Sequence, residues 1–380
     1  MRILALAVVV ASSPAHAQEA RLVASDPPAA ELRQEFTRVT QVRELRDGRV
    51  VVLDRDEAVV VLADYRTSQV NQLGRHGEGP GEYRSPLWML PLGGDSVGVF
   101  DDASLRVLVI DAQGQLSGFL PAMSPSPGTG TVGALAGDGR GAFYGEGSAT
   151  AIGPDGRFQR ADSAPLFRWA IGGSDIELVG HVPRPPPSGA VVGPGVMRPG
   201  TALRPGTRDM WAVGSDARIA IVHHDPYRVD FLLPSGTRRA GATMPFTRVS
   251  VNDSVKQAVL SERSGVPTAT VVDGRGVTST VRRRPPAVSP ASINWASEVP
   301  PFRGDAFVAF APDGALWIQR TTFGREGARY DLVGADGRLV DRIRLPEGHR
   351  VAGFGRGVMY VVRRDSDDIE YVQRRPLPRR

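Results

Sequence analysis

The sequence predicts an all-β protein, a six-bladed β-propeller with four-stranded blades. Three observations favour this fold class. Short apolar runs rich in Val, Ile, Tyr and Phe alternate with turn residues along most of the chain, which is typical of strands. The same turn-and-strand unit recurs at intervals of roughly 40–50 residues, the spacing of propeller blades. The chain also contains 44 Gly and 31 Pro, a composition suited to many tight turns.

The repeating unit is a turn, an apolar run, a second turn and a second apolar run. Asp47-Gly48-Arg49 leads into Val50-Val51-Val52-Leu53-Asp54, and Pro312-Asp313-Gly314 precedes Leu316-Trp317-Ile318 in the same way. Asp-Gly is a strong signal for a tight hairpin turn, because Gly supplies the positive φ that the turn needs. One unit has Asp216-Ala217 where Asp-Gly is expected.

Six units can be counted, and the last is short by about one strand. A strand at Ala20 to Ala24 is expected to supply it, so that the two chain ends close the ring and leave no open sheet edge. A β-sandwich or two smaller β domains are the alternatives. The units lie at 36–83, 84–129, 130–183, 207–245, 298–346 and 347–380.

Two stretches do not fit a blade and are expected to be excursions from the ring. Residues 184–206 are rich in Pro and Gly and predict an irregular surface segment. Residues 246–297 contain a predicted short helix from Asn252 to Ser261, with Asn252 as its N-cap. They also contain a predicted hairpin that begins with Thr268–Val272 and turns at Asp273-Gly274.

The N-terminus has the layout of a secretory signal peptide over residues 1–17. Met1-Arg2 is basic, Ile3 to Ala11 is apolar, and Ala15-His16-Ala17 is a small-x-small cleavage site. We therefore expect residues 18–380 to form a single propeller domain located in the periplasm or secreted. The chain has no Cys, so disulfides and thiolate chemistry are excluded, and no transmembrane segment is predicted.

The net charge of +5 does not indicate nucleic-acid binding. Of the 46 basic residues only Lys256 is a lysine, and the 41 acidic residues are interspersed with the arginines. A nucleic-acid-binding protein concentrates its positive charge on one face or stripe. We predict no nucleic-acid partner.

The segment Gly74 to Tyr83, which reads GRHGEGPGEY, resembles exported bacterial six-bladed β-propellers related to NHL-repeat proteins. The resemblance implies a fold but no general activity. Its glycines could offer backbone amides to an anion. Our main interpretation is a linker between the first two blades, in which Glu82 accepts backbone hydrogen bonds and Tyr83 packs. The matching residues are Gly77, Gly79, Pro80, Gly81, Glu82 and Tyr83.

Propeller topology predicts which polar residues share a face. With strands lettered A to D from the axis outward, the B–C loops and the D–A linkers emerge on the same side. A structural alternative exists for each position: an Asp that follows a strand commonly fixes the next turn, and Arg363 can be solvated or pair with Asp365, Asp367 or Asp368. The predicted ligand-binding face carries Asp54, Arg55, Asp101, Asp102, Glu146, His223, His224, Asp225, Arg320 and Arg363.

The predicted function is binding without catalysis, as a monomer that holds a protein, a peptide or a small polar ligand on this face. We predict no catalytic residues, no metal and no cofactor. His223 and His224 are adjacent on a strand and point to opposite faces, so we do not expect them to share an ion. The alternative is a metal-dependent hydrolase or lyase of the propeller lactonase type, which needs about four oxygen or imidazole groups around one point. A partner-scaffolding role, marked by an apolar surface patch, is a further possibility.

Overall fold

The computed structural model describes residues 20–23, 27–126, 130–152, 158–184, 208–263, 268–272, 278–282, 295, 297–323 and 326–379. The expected signal peptide at 1–17 lies outside these residues. So do the Asp273-Gly274 turn and the first excursion, apart from Arg184. Among the described residues, no helix is both long enough and apolar enough to cross a membrane.

The first part of the chain forms two short strands and two blades. The short strands are β1 (Arg21–Leu22) and β2 (Ala30–Glu31). Blade 1 contains β3 (Val39–Glu44), β4 (Val50–Asp54), β5 (Val59–Asp64) and β6 (Gln69–Gln72). The linker to blade 2 contains the parallel pair β7 (Arg75–His76) and β8 (Glu82–Tyr83). Blade 2 contains β9 (Pro86–Pro91), β10 (Val97–Asp101), β11 (Arg106–Ile110) and β12 (Leu116–Pro121), with a single 3-10 turn at Gly93–Asp95.

Blades 3 and 4 carry the first additions to the ring. A hairpin of β13 (Met123–Ser126) and β14 (Gly130–Gly133) precedes blade 3. Blade 3 contains β15 (Ala136–Gly137), β16 (Ala142–Glu146), β19 (Ser163–Ala170) and β20 (Ile176–Pro183), and the hairpin of β17 (Thr150–Ile152) and β18 (Phe158–Arg160) lies between its second and third strands. Blade 4 contains β21 (Met210–Val213), β22 (Ile219–His224), β23 (Tyr227–Leu232) and β24 (Arg238–Arg239).

The second excursion separates blade 4 from the last two blades. It contains β25 (Val249–Ser250), helix α1 (Asp253–Arg263), the hairpin of β26 (Thr268–Val272) and β27 (Thr278–Arg282), and β28 (Glu298–Val299), which pairs with β25. Blade 5 contains β29 (Val308–Phe310), β30 (Leu316–Gln319), β31 (Arg329–Val333) and β32 (Leu339–Arg344). Blade 6 begins with β33 (His349–Gly355), β34 (Val358–Arg364) and β35 (Glu370–Pro376).

These strands form six antiparallel blades whose first strands meet around the axis, which confirms the predicted six-bladed propeller. The predicted helix is also present, although it ends at Arg263. Its N-cap is Asn252, whose Oδ1 accepts a hydrogen bond from the Val255 amide at 3.0 Å.

The ring is closed by an N-terminal strand, but the expected segment is not the one that completes blade 6. Strand β2 pairs with β35 as the fourth strand of blade 6, whereas β1 runs parallel to β32 as a fifth strand of blade 5. The expectation for Ala20 to Ala24 is therefore wrong. Burial explains the difference. Leu32 and Phe36, which both follow the closing strand β2, lie in the core between blades 6 and 1, while Leu22 of β1 is 47% exposed.

The hydrophobic core consists of layers between neighbouring blades. Six of its clusters each join two adjacent blades, as where Val50 and Val52 of blade 1 pack with Tyr360 and Val362 of blade 6. The second strand of a blade has a neighbouring blade on both of its faces, and every residue of β4 and β10 is buried. This is why these strands are continuous apolar runs in the sequence rather than alternating patterns.

Candidate functional site

Asp54 and Asp101 lie on the predicted face, but their carboxylates point into the protein. Asp54 accepts hydrogen bonds from the amides of Thr37 and Arg38 at 2.7 and 3.0 Å, and Asp101 accepts one from Ser85 at 2.7 Å. Both carboxylates are nearly inaccessible, at 3% and 0% exposure. Each fixes the turn that leads into the first strand of its own blade. A ligand contact by either residue stays a prediction.

Three predicted face residues are exposed in B–C turns. Arg55 and Asp102 follow the second strands of blades 1 and 2, and Asp225 follows that of blade 4. Asp225 forms an ion pair of 3.4 Å with Arg248 of the second excursion. All three can be reached from solvent, and they lie in three different turns.

Arg320 and Arg363 form ion pairs within the protein. Arg320 donates to Asp331 at 2.9 Å and to the carbonyl of Pro301 at 2.9 Å, which ties the end of the second excursion to blade 5. Arg363 makes two hydrogen bonds of 3.0 Å to Glu31, and its guanidinium lowers the pKa of that carboxyl. The structural alternatives for Arg363 are solvent or Asp365, Asp367 or Asp368, and the pairing with Glu31 of the closing strand is none of these.

Glu146, His223 and His224 are brought together, with help from residues that sequence reasoning missed. Arg184 donates through Nε to Glu146 Oε1 at 2.5 Å and through Nη2 to Glu146 Oε2. It also donates through Nη1 to the carbonyl of Asp209 at 2.7 Å, and thereby joins the two ends of the first excursion. Trp211 adds a hydrogen bond of 2.9 Å to Glu146. We call Glu146, Arg184, Asp209, Trp211, His223 and His224 the blade 3–4 polar cluster.

Asp209 is the centre of this cluster. Its Oδ2 lies 2.5 Å from His223 Nδ1, and its Oδ1 lies 2.7 Å from His224 Nδ1. Burial acts to raise the pKa of Asp209, but the hydrogen bonds from the two histidines outweigh it and hold that pKa far below its ordinary value. The two adjacent histidines thus share a carboxylate, which they can do because His224 is the last residue of its strand.

His223 is enclosed between two carboxylates. Its Nε2 lies 3.2 Å from Asp230, which also accepts hydrogen bonds from Arg228 at 3.0 Å and from Arg238 at 2.8 Å. His223 is 5% exposed and both of its ring nitrogens are engaged, so it holds the blade together and is not accessible to a ligand.

Two polar groups in or next to the cluster are open to a further partner: the guanidinium of Arg208 and Nε2 of His224. Arg208, directly before Asp209, is exposed, and its side-chain carbons pack near Gly304. Partial burial lowers the pKa of Arg208, and the positive charge of Arg184 lowers it further. Within the described part of the chain, Arg208 forms no ion pair, although the charge of Glu146 acts on it, and His224 Nε2 has no hydrogen-bond partner.

The described residues do not contain a ready metal site. No group of three or more His, Asp and Glu side chains there is arranged to hold a metal ion. Sequence reasoning missed four residues of this region, Arg184, Arg208, Asp209 and Asp230. The first three were missed because they adjoin a Pro/Gly-rich segment that has no strand signal. An acidic residue directly before a first strand, as at Asp209, is the signal that could have found the cluster.

The linker loop is held by its own side chains. Glu82 accepts a hydrogen bond from the amide of Gly79 at 2.7 Å and one from Arg75 at 2.7 Å. The hydrogen bond from Gly79 contributes most to lowering the pKa of Glu82. Tyr83 is buried, and its hydroxyl accepts a hydrogen bond of 3.1 Å from the amide of Val60. The Gly79 amide is therefore occupied by a carboxylate of the protein itself.

Similarity to known proteins is confined to the fold. No protein-family model and no curated protein matches the sequence. A member of the DUF4221 family from Bacteroides vulgatus is 8% identical, with a TM-score of 0.51 over 95% of this chain and 100% of that chain. A gluconolactonase from Xanthomonas campestris is 12% identical, with a TM-score of 0.44 over 97% and 99%. A virginiamycin B lyase from Staphylococcus aureus is 11% identical, with a TM-score of 0.37 over 93% and 89%. The chain shares the propeller architecture of the first of these, while a relation to NHL-repeat proteins stays a prediction.

Proposed function

We propose that this protein is an exported, non-enzymatic binding propeller that holds a protein, peptide or small polar ligand on the face of the blade 3–4 polar cluster. The observation that carries the proposal is Arg208, an exposed guanidinium that forms no ion pair with an acidic side chain among the described residues. Arg208 lies directly before the first strand of blade 4, and binding residues commonly collect in the segments that a rigid scaffold positions.

The charges around Arg208 define the chemistry of the ligand. Glu146 forms its ion pair with Arg184, and Asp209 accepts hydrogen bonds from His223 and His224. Among the described residues Arg208 forms no ion pair of its own, although the more distant charge of Glu146 also acts on it. An anionic group of the ligand, such as a carboxylate, is therefore the expected partner, because a guanidinium binds carboxylates through paired hydrogen bonds.

Three of the predicted face residues that could transfer protons are used to hold the fold. Asp54 and Asp101 fix backbone amides, and His223 is enclosed by Asp209 and Asp230. The alternative, a hydrolase or lyase of the lactonase type, requires a metal and has no such observation in its favour. The signal peptide predicted at 1–17 is the basis for proposing a periplasmic or secreted location, and an intact mass that begins at Gln18 after expression in a bacterial host tests this part.

Arg208→Gln tests the binding proposal. The probes are succinate, citrate, inorganic phosphate and a tri-glutamate peptide, followed by calorimetry and thermal shift. A hydrogen bond to a charged group contributes about 1.5–3 kcal/mol, so affinity for the anion that binds should fall about 10- to 100-fold in this variant. The matched control is Arg66→Gln, because Arg66 is 81% exposed, pairs with Asp64 and lies in a turn on the opposite face. Equal affinity in wild type and Arg208→Gln would contradict the proposal, and a melting temperature that falls on chelation would favour the metal enzyme.

A further inference from the structure

A cavity of about 560 Å³ opens at the rim between the linker loop and the outer strand of blade 2. Its volume falls within the range of small-molecule sites. The linker loop, which the sequence resemblance singled out, forms one wall, and strand β12 forms the other. The cavity is lined by Glu78, Gly79, Pro80, Gly81, Arg106, Leu116, Ser117, Gly118 and Phe119.

Arg106 is held in a fixed orientation in this cavity. The centre of its guanidinium lies 3.9 Å from the centroid of the Phe119 ring, and its Nη2 donates to the carbonyl of Glu82 at 2.9 Å. Its Nε is buried and has no acceptor among the residues that the structure describes. A guanidinium stacked on an aromatic ring is pre-organised, so it loses little conformational entropy when it binds a ligand.

The positive charge of Arg106 is not balanced by the acidic residues beside it. Glu82 pairs with Arg75 at 2.7 Å, and Glu78 pairs with Arg84 at 2.7 Å. Both carboxylates are thus matched by other arginines.

The remaining nearby carboxylate, that of Asp101, is also committed elsewhere. Asp101 is the cross-strand neighbour of Arg106, but its oxygens accept the amides of Arg84 and Ser85 at 3.2 and 2.7 Å. Among the described residues, Arg106 forms no ion pair. The cavity therefore contains one unbalanced cation.

The other walls of the cavity are apolar or backbone. Pro80, Leu116 and Phe119 provide apolar contacts. Strand β12 is the free outer edge of its blade, and a register shift near Leu116 leaves the Ser117 backbone without a register partner, although its hydroxyl donates to the carbonyl of Val109 at 3.4 Å. A bulge at a sheet edge commonly marks a place where a binding surface is shaped.

We propose that this cavity binds a small organic carboxylate that carries an apolar or aromatic body. The carboxylate meets the guanidinium of Arg106, and the body packs against Phe119, Leu116 and Pro80. The same chemistry is presented by a free organic acid and by the C-terminus of an apolar peptide. This site lies between blades 1 and 2 and is independent of Arg208.

Binding to the wild-type protein provides the first test and needs no variant. The probes for calorimetry are 3-phenylpropanoate, its primary amide, and the peptide alanyl-alanyl-phenylalanine with a free or an amidated C-terminus. Each free acid should bind at least about 10-fold more tightly than its amide, because only the acid pairs with the guanidinium. Tighter binding of the free acid than of the free peptide identifies a small acid as the natural source, and the reverse identifies a peptide. No saturable binding of either acid, or equal affinity for acid and amide, would overturn the proposal.

Variants then locate the site. Arg106→Gln should weaken binding of the preferred acid by at least about 10-fold, whereas Arg66→Gln, which removes a paired charge that does not line the cavity, should change it less than about 2-fold. Arg208→Gln should leave this affinity unchanged, which separates failure here from failure of the proposed function. Equal losses in Arg106→Gln and Arg66→Gln would place the acid elsewhere on the protein.

Discussion

Ring closure by the N-terminal segment can be tested with two substitutions of the same residue type. Leu32 is 2% exposed and lies in the core between blades 6 and 1, and its amide donates to the carbonyl of Val372 at 2.9 Å. Leu22, ten positions earlier, belongs to the strand added to blade 5 and is 47% exposed. Leu32→Ala and Leu22→Ala therefore remove the same atoms from a buried and from an exposed position.

The expected magnitudes differ clearly. Replacing a buried Leu by Ala costs about 2–5 kcal/mol, because both the transfer free energy and the contacts around the new cavity are lost. The neighbours of Leu32 come from two blades, which cannot easily collapse into the space, so we expect a value above about 3 kcal/mol. An exposed substitution such as Leu22→Ala should change the free energy of unfolding by less than about 0.5 kcal/mol.

Urea unfolding followed by tryptophan fluorescence and by circular dichroism measures both variants. Coincident transitions by the two probes show whether a single free energy of unfolding applies. Size-exclusion chromatography adds a second measurement, since a loosened closing strand exposes the edge of blade 6 and should promote association. The reasoning fails if Leu32→Ala costs less than about 1 kcal/mol, or if Leu22→Ala costs as much as Leu32→Ala.

Three further outcomes follow from local contacts. Ala217, in the turn before β22 of blade 4, has φ of 63°, and Gly314, in the corresponding turn before β30 of blade 5, has φ of 81°. Because a positive φ favours Gly, Ala217→Gly should raise the free energy of unfolding by about 0.5–1 kcal/mol. Gly314→Ala should lower it by about 1 kcal/mol, and urea unfolding measures both. Burial acts to raise the pKa of Asp230, but hydrogen bonds from Arg228 and Arg238 outweigh it and lower that pKa to about 2 from 3.8. A depressed pKa in the folded state stabilises the protein above about pH 4, and this contribution of about 2 kcal/mol is lost as the pH falls toward 2. Asp230→Asn should remove this part of the acid sensitivity, and an unchanged pH profile of the melting temperature would contradict the assignment. Asp331 is 1% exposed and accepts hydrogen bonds from three side chains, so Asp331→Asn should cost about 3–5 kcal/mol, and thermal unfolding with no change would show that the ion pairs contribute little.

The sequence by itself determined the features that depend on neighbouring residues. The apolar run of β4 identified a strand, and Asn252 identified the start of a helix. Asp-Gly turns set the hairpins, and their recurrence set the number of blades. These features are predictable because strand formation, turn conformation and helix capping are decided within a few residues of the chain.

Only the tertiary structure decided which distant residues meet. Leu22 and Leu32 both adjoin short polar segments in the sequence, yet only Leu32 is placed where two blades can cover it. Arg363 pairs with Glu31 across 332 positions rather than with the nearby aspartates, because ring closure brings Glu31 beside it. The sequence pattern of an aspartate at the end of a strand is likewise the same whether its carboxylate faces solvent or accepts hydrogen bonds from backbone amides. Its role depends on where the preceding linker places those amides, and that placement is fixed by packing between blades rather than by local sequence.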